Sequence, residues 1–502
     1  MGGYMQRCSG LCLVLAGIIC ACGSSESTSV TQQANTAETR TDMLRSMPER
    51  IRNMPEIWRQ YHGWFDNELT ARYEQWLQGW VDPDAEPLDS PDQEEGDVRM
   101  SNPSFAGSQN EFQIAINPMD SRFAIGTSND GRRAGVGIYA TADSGLTWTA
   151  QDAPLGGLAG CCDPAVVYGQ DGVAYVGILN PPITFTLRSD DNGDNWQLMT
   201  NVATPDRNNL AIDPRDSNVI MITYTDLPAT NRIKGYRSTD GGLTWGSSFF
   251  IGDLAPPQGY EQSSQPRIHN DGTIYVGFQQ YLNSTLGCNA GVQNVLAKST
   301  DDGQTFTQTV VDIIQGGACT SSQAGRGIFC INASGAAFRS RSHPIIGVDP
   351  VDSNIVYMVY SGGELELPYS CGSSTGFHSD TLFRKSIDGG ATFSDPIAIN
   401  QDGQGSDQYY PWIDVTADGV LFVGWNDRRD DPNNFKSRWY QAFSTDQGDT
   451  WTEYPVTDVM TQPSTFIGDY HGMAAQAGLL LGMWFDSRDS GSGDPYTHPG
   501  TP

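Results

Sequence analysis

The stretch STDGGLTW, residues 238–245, recurs along the chain, and its recurrence decides the fold. The frame returns as TADSGLTW (141–148), SDDNGDNW (189–196), STDDGQTF (299–306), SIDGGATF (386–393) and STDQGDTW (444–451). It reads Ser/Thr-x-Asp-x-Gly-x-Thr/Asn-Trp/Phe. Asp240 and its counterparts Asp143, Asp191, Asp301, Asp388 and Asp446 are suited to accept hydrogen bonds from turn amides. The glycine takes positive φ without a Cβ clash, and the terminal aromatic packs beneath the turn. Six copies, each separated by about one small sheet of chain, predict a repeat architecture.

Working outward, a second phrase precedes each turn. It opens as NEFQIAINP (110–118), DPAVVY (163–168), DRNNLAIDP (206–214), SQPRIHNDG (264–272), SHPIIGVDP (342–350), YPWIDVTADG (410–419) and GDYHGMAAQAG (468–478). An apolar strand follows each, such as VAYVGIL, VIMITYT or VLFVGW. Seven openings and six turns predict seven blades of an all-β propeller, with six as the alternative count. The last blade lacks an outer strand, and a segment around Val98 to Pro103 is expected to supply it.

The turns resemble the Asp-boxes, or bacterial neuraminidase repeats, of the sialidase-like superfamily, over roughly residues 105–490. The resemblance implies a β-propeller whose mouth binds a carbohydrate and hydrolyses it in the manner of an exo-glycosidase. Similar turns occur in receptors and assembly factors, so it equally implies a non-catalytic binding or scaffold propeller. At the first opening, Asn110-Glu111-Phe112 stands where sialidases carry Arg-Ile-Pro.

Bulk composition narrows the partners. The 29 Lys and Arg are outnumbered by 59 Asp and Glu, for a formal net charge of -30. Such a balance argues against nucleic-acid binding and against charge-driven docking on anionic lipid. It is compatible with calcium, but no ligand spacing indicates a site, and no cofactor is expected. The N-terminus reads as a targeting segment. Arg7 precedes an apolar run from Leu11 to Ala21, then Cys22-Gly23-Ser24-Ser25. This resembles a bacterial lipobox with Cys22 lipidated. It implies anchoring at the cell envelope, on the outer membrane by its Gly23, with the lipid as the sole membrane contact. An ordinary cleaved signal peptide is the alternative.

The expected organisation is a signal peptide over 1–22, a tether over 23–40, helices over 41–81, an acidic linker over 82–104 and the propeller over 105–502. Cys161, Cys162, Cys288, Cys319, Cys330 and Cys371 remain beyond the N-terminus, an even count that reads as disulfides outside the cytoplasm. Adjacent Cys161 and Cys162 pair with each other or with separate partners.

In an up-and-down blade the innermost strand starts on one face. The turn motif, between the third and fourth strands, falls on the opposite face and is read as structural. The mouth therefore gathers strand-one starts and second-strand ends. Candidates for catalysis are Asp163, Asp206, Arg207, Arg267, Tyr410, Arg428 and Asp469. Candidates for ligand binding are Glu111, Arg132, His343, Arg429, Tyr470, His471 and Arg488. In one reading arginines clamp a carboxylate, a carboxyl acts as general acid and, as the resemblance implies, a tyrosine attacks the anomeric carbon. In the other, Asp–Arg pairs tie blades together, because they recur from blade to blade in WNDRRDD (425–431), WFDSRDS (484–490) and SNDGRR (128–133). His343 and His471 read as hydrogen-bonded mouth residues rather than metal ligands.

Overall fold

A computed structural model describes residues 96–101, 108–131, 135–158, 160–227, 229–254, 258–282, 291–315, 329–331, 338–340, 343–363, 379–403, 405–462, 467–476, 478–489 and 493–500. Cys22, Arg132 and the expected tether and helices lie outside them, as do Cys288, Cys319 and Cys371.

The chain from Asp82 onward is one unit whose described residues form seven small antiparallel sheets and one separate two-stranded hairpin, Phe329–Ile331 with Phe338–Ser340. Blade one runs Gln109–Ile116, Ala124–Asp130, Gly135–Thr141 and Thr149–Asp152. Blade two begins Cys162–Tyr168, Ala174–Asn180, Ile183–Ser189, and two short strands pair outside the third. Blades three to six follow the same order from inner strands Asp206–Asp213, Gly259–Ile268, Ile345–Val348 and Gln408–Val415. Blade seven comprises Gly472–Gln476, Leu479–Asp486 and Asp494–Thr497. Each inner strand touches those of the blades on either side, and blade one's inner strand also touches blade seven's. The ring is therefore closed: a seven-bladed β-propeller, not a six-bladed one.

The second strands explain why the sheets stack. Leu479–Asp486 is buried along its whole length, and Ala174–Asn180 along all but its last residue. A strand apolar on both faces needs a cover on each side, and the two neighbouring blades supply it. Closure uses a segment from the N-terminal side, within the stretch read as linker. Val98 pairs with Thr497 and Arg99 with Tyr496, which gives blade seven its outer strand. Arg99 bonds the buried Asp494 carboxylate at 2.7 Å. Met100, 1% exposed, lies against Met483 of blade seven and Gly126 of blade one.

The six turns share one hydrogen-bond pattern. Ser238 Oγ donates to Asp240 Oδ1 at 2.8 Å and accepts from Gly242 N at 2.9 Å. Thr244 donates to Asp240 twice, from N at 2.8 Å and Oγ1 at 2.5 Å. Bonds from Thr244 hold the Asp240 carboxyl below its ordinary range. Gly389 and Gly390 show the backbone demand: both have positive φ, 71° and 83°. Turns share their face with the connections between first and second strands, since Gly241 N donates to Asn218 O and Gly389 N to Asn354 O, both at 2.8 Å. The mouth, where inner strands begin, is the opposite face.

Each turn also docks on the preceding blade. A Cβ on Gly390 would stand 2.3 Å from Leu296 of blade four, and one on Gly448 2.3 Å from Phe383 of blade five. Gly390→Ala thus meets both left-handed strain and overpacking, and is expected to cost about 2–5 kcal/mol. Gly156→Ala, at φ 63° but facing open space, carries the strain alone, about 1–2 kcal/mol. Urea unfolding midpoints check the difference; equal losses would remove the role given to docking.

Candidate functional site

The inner strands share a local irregularity at the mouth. Pairing with the second strand slips between Asn110 and Gln113, Cys162 and Ala165, Asp206 and Asn209, Gln262 and Gln265, and Tyr409 and Trp412. Each slip is a β-bulge whose first residue has positive φ: Glu111 60°, Asp163 46°, Arg207 33°, Ser263 68° and Tyr410 54°. Non-glycine residues rarely adopt this conformation, and it persists only where surroundings over-determine it. Pro164 and Pro411 follow the bulged residue in blades two and six, as Pro344 follows His343 in blade five. Proline tolerates a place in the ladder where no N–H is required. His343 and Tyr470 hold the matching places in blades five and seven, so seven blades contribute one residue each to a mouth ring.

One arc of that ring is acidic. Glu111, 5% exposed, accepts from Asn129 Nδ2 at 2.7 Å and is hydrogen-bonded to the Asp163 carboxyl. Burial, then the nearby charges of Asp163 and Asp469, push the Glu111 carboxyl well above its usual range. Glu111 is therefore a proton holder facing ionisable neighbours. Tyr470 is 3% exposed, and burial followed by the Glu111 and Asp163 charges raises its phenol, with Arg207 opposing.

The facing arc donates. The Arg207 guanidinium lies over the Tyr470 ring, 4.3 Å from its centroid. Its Nη1 faces the His343 ring, 3.1 Å from Nε2 and closer still to Nδ1. Arg207 Nη2 and Ser263 Oγ are buried without a hydrogen-bond partner among the described residues. Both side chains are at least nine-tenths buried. Buried donors left unsatisfied are costly, so the mouth is arranged to receive acceptor oxygens.

The ring is supported from behind. Tyr410 Oη donates to Gly468 O at 2.7 Å and packs on Tyr409 and His471. His471 is fully buried; its Nδ1 stands 2.8 Å from Asn426 Nδ2 and its Nε2 faces Ile467 O. Burial pulls its pKa down to about 3, so the ring is neutral. Asp206 Oδ2 accepts from Gln262 Nε2 at 2.8 Å and ties blade three to blade four.

The remaining expected residues lie elsewhere. Arg267 is four residues beyond Ser263, roughly 13 Å further along its strand. Burial draws its pKa down, against the charge of Asp414, which stands at the same level of blade six. Arg428 Nη1 donates to Asn434 O at 2.9 Å and lies 3.5 Å from Asp407. Arg429 holds Asp427 and Glu453, each at 2.7 Å. Arg488 holds Asp486 and Asp97, each at 2.6 Å. These three arginines lock their own blades, and of the expected arginines the structure brings Arg207 to the carboxylates.

Ser263 was not among the expected residues. The fourth opening was read from residue 264, whereas the strand begins at Gly259. Its signal was the spacing to the apolar second strand. Among the described residues no group of three or more His, Cys, Asp or Glu is placed to hold a metal ion.

No family model matches the chain, and no curated protein sequence does. Solved structures bear a distant likeness to it. A GH93 α-L-arabinofuranosidase of Fusarium graminearum is 15% identical, with TM-score 0.41, over 68% of this chain and 92% of that one. A Hadza microbial sialidase is 13% identical, with TM-score 0.40, over 81% and 68%. A PL25 ulvan lyase is 14% identical, with TM-score 0.41, over 67% and 84%. Likeness at this level carries no activity across to this chain.

The raised Glu111 pKa has a consequence for stability. Between the unfolded value near 4.3 and the folded one, the folded state binds the extra proton, so stability falls as pH rises. Glu111→Gln removes that term. Urea midpoints measured from pH 4 upward should show the variant gaining on the wild type through this window. A gap that stays constant with pH would contradict the buried, proton-holding carboxyl.

Proposed function

We propose that the mouth ring binds a carbohydrate and cleaves a glycosidic bond with Glu111 as general acid. The observation that carries this is the pairing of the protonated Glu111–Asp163 couple with the unsatisfied donors of Arg207 and Ser263 across the same opening. A sugar offers acceptor hydroxyls to those donors, and its apolar ring face suits Tyr470. Glu111 then gives its proton to the leaving oxygen.

Glu111 and Asp163 are too close to flank a sugar from opposite sides. Paired glycosidase carboxyls stand about 5–9.5 Å apart, whereas these two share a hydrogen bond. Asp163 therefore acts on the proton of Glu111. The anomeric carbon falls to Tyr470 or to water steered by Asp469. The resemblance to sialidases implies the tyrosine, with its proton passing to the carboxylate left on Glu111. Arg207, over the phenol ring, opposes the burial and carboxylate charges that hold the phenol protonated.

A second reading, a non-catalytic binding propeller, is favoured by the arginines. Arg428, Arg429 and Arg488 are each tied down by carboxylates of their own surroundings. Among the described residues that leaves Arg207 without the companions of a multi-arginine clamp. On either reading we place the protein at the cell envelope, held by lipid on Cys22. The apolar run to Ala21 and the Cys-Gly-Ser-Ser junction support this; labelled-palmitate incorporation in an expressing bacterium, lost on Cys22→Ser, would test it.

A panel of fluorogenic glycosides, sialosides and arabinofuranosides included, separates the readings. Hydrolysis is expected, with Glu111→Gln lowering kcat/KM by about 10²–10⁴-fold. Binding on a glycan array without turnover would favour the scaffold reading. Neither binding nor turnover would remove carbohydrate as the ligand.

A further inference from the structure

Four bulged positions of the mouth ring have their preceding residue anchored by its side chain. Asn110, before Glu111, accepts from Asn129 Nδ2 at 3.0 Å. Asp206, before Arg207, accepts from Gln262 at 2.8 Å, and that same bond anchors Gln262, before Ser263. Tyr409, before Tyr410, meets Ser437 Oγ at 2.6 Å. Blade two differs. There the residue before Asp163 is Cys162, and it is bonded to Cys161.

Asp163, like Tyr410, holds a backbone conformation at odds with its place in the sequence. It is not glycine, its φ is 46°, and proline follows it. A residue before proline is pushed toward extended conformations by the ring Cδ. A left-handed backbone at that place needs restraint from the N-terminal side. A bond between successive cysteines closes a small ring over the intervening peptide and limits its rotation. Cys161 N also donates to Leu179 O at 2.9 Å, so the restraint is itself held to the second strand.

We infer that the Cys161–Cys162 disulfide is a positioning element that holds Asp163 against Glu111 at the mouth. The inference rests on the reading of those two carboxyls as the working pair, but its test does not require activity. With the bond intact, Asp163 adds its charge and hydrogen bond to Glu111. With it opened, the backbone at Asp163 relaxes toward the extended region and the carboxyls separate. Both cysteines are partly exposed, so a reductant reaches them. A phosphine breaks the sulfur–sulfur bond and becomes a phosphine oxide with oxygen from water, and the two sulfurs leave as thiols carrying that water's protons.

The experiment is a cycle on the full chain. Urea midpoints are measured against pH for the wild type and Glu111→Gln, each oxidised and after reduction with a water-soluble phosphine. The pH-dependent gap between wild type and Glu111→Gln is expected to shrink on reduction and to return on reoxidation. A disulfide of purely structural value would lower all midpoints together and leave the gap unchanged, which would overturn the inference. The Cys161→Ser/Cys162→Ser variant should show the reduced behaviour with no further response to phosphine. A persistent response would assign the effect to other cysteines and sink the proposal. So would alkylation of Cys161 and Cys162 in untreated protein, read by mass spectrometry. If Glu111→Gln abolishes hydrolysis while the gap ignores reduction, the positioning role falls and the catalytic reading stands.

Discussion

The structure depends on the close docking of each turn glycine on the preceding blade. A blade has no room of its own for a core: its second strand is apolar on both faces and needs two neighbours. The turn makes that approach possible. Asp and Ser side chains satisfy its amides internally, so no polar group is left to hold the blades apart. Glycine then lets backbone reach a neighbour's side chain, as Gly145 reaches Leu481. That contact joins blade one to blade seven, far apart in the chain. Met100 and the strand before it complete the same seam.

A closed ring has a consequence at its axis. Seven inner strands converge at the mouth, and in five of them a bulge turns one residue toward a common opening. Crowding there is what makes the chemistry. Glu111, Asp163 and Asp469 arrive from three blades and cannot all be charged in a buried space, so Glu111 keeps its proton. Arg207 and His343 arrive from the other side. The arginines further out obey a different rule. Asp427-x-Arg429 and Asp486-x-Arg488 bond within themselves, and Asp213-x-Arg215 repeats the same arrangement on the turn side of blade three. A pattern found on both faces serves the scaffold, and it explains why Arg-rich stretches at the mouth do not form a clamp.

Much of this is legible in the sequence. Repetition of the turn and of the polar strand opening reported the blade count, the face on which the turns lie and six of the seven ring positions. Repetition is visible because each blade solves the same packing problem with the same residues. Ser263 escaped because its strand starts early and the proline of its opening, Pro266, stands three residues beyond it rather than directly after it. Arg267 was placed at the mouth for the same reason, one opening being read out of register with the others. Arg428, Arg429 and Arg488 looked like binding residues because a charged side chain in sequence does not reveal its partner.

The amino-acid sequence alone determined the architecture. Local turn chemistry and period-two strands act over a few residues, and stacking follows from their apolar faces. Tertiary structure alone decided which carboxyl keeps a proton and which arginine reaches the mouth. Those properties depend on burial and on charges contributed by blades distant in the chain. No stretch of sequence holds both partners: Glu111 acquires its character from Asp163 and Asp469, and neither lies in its own blade.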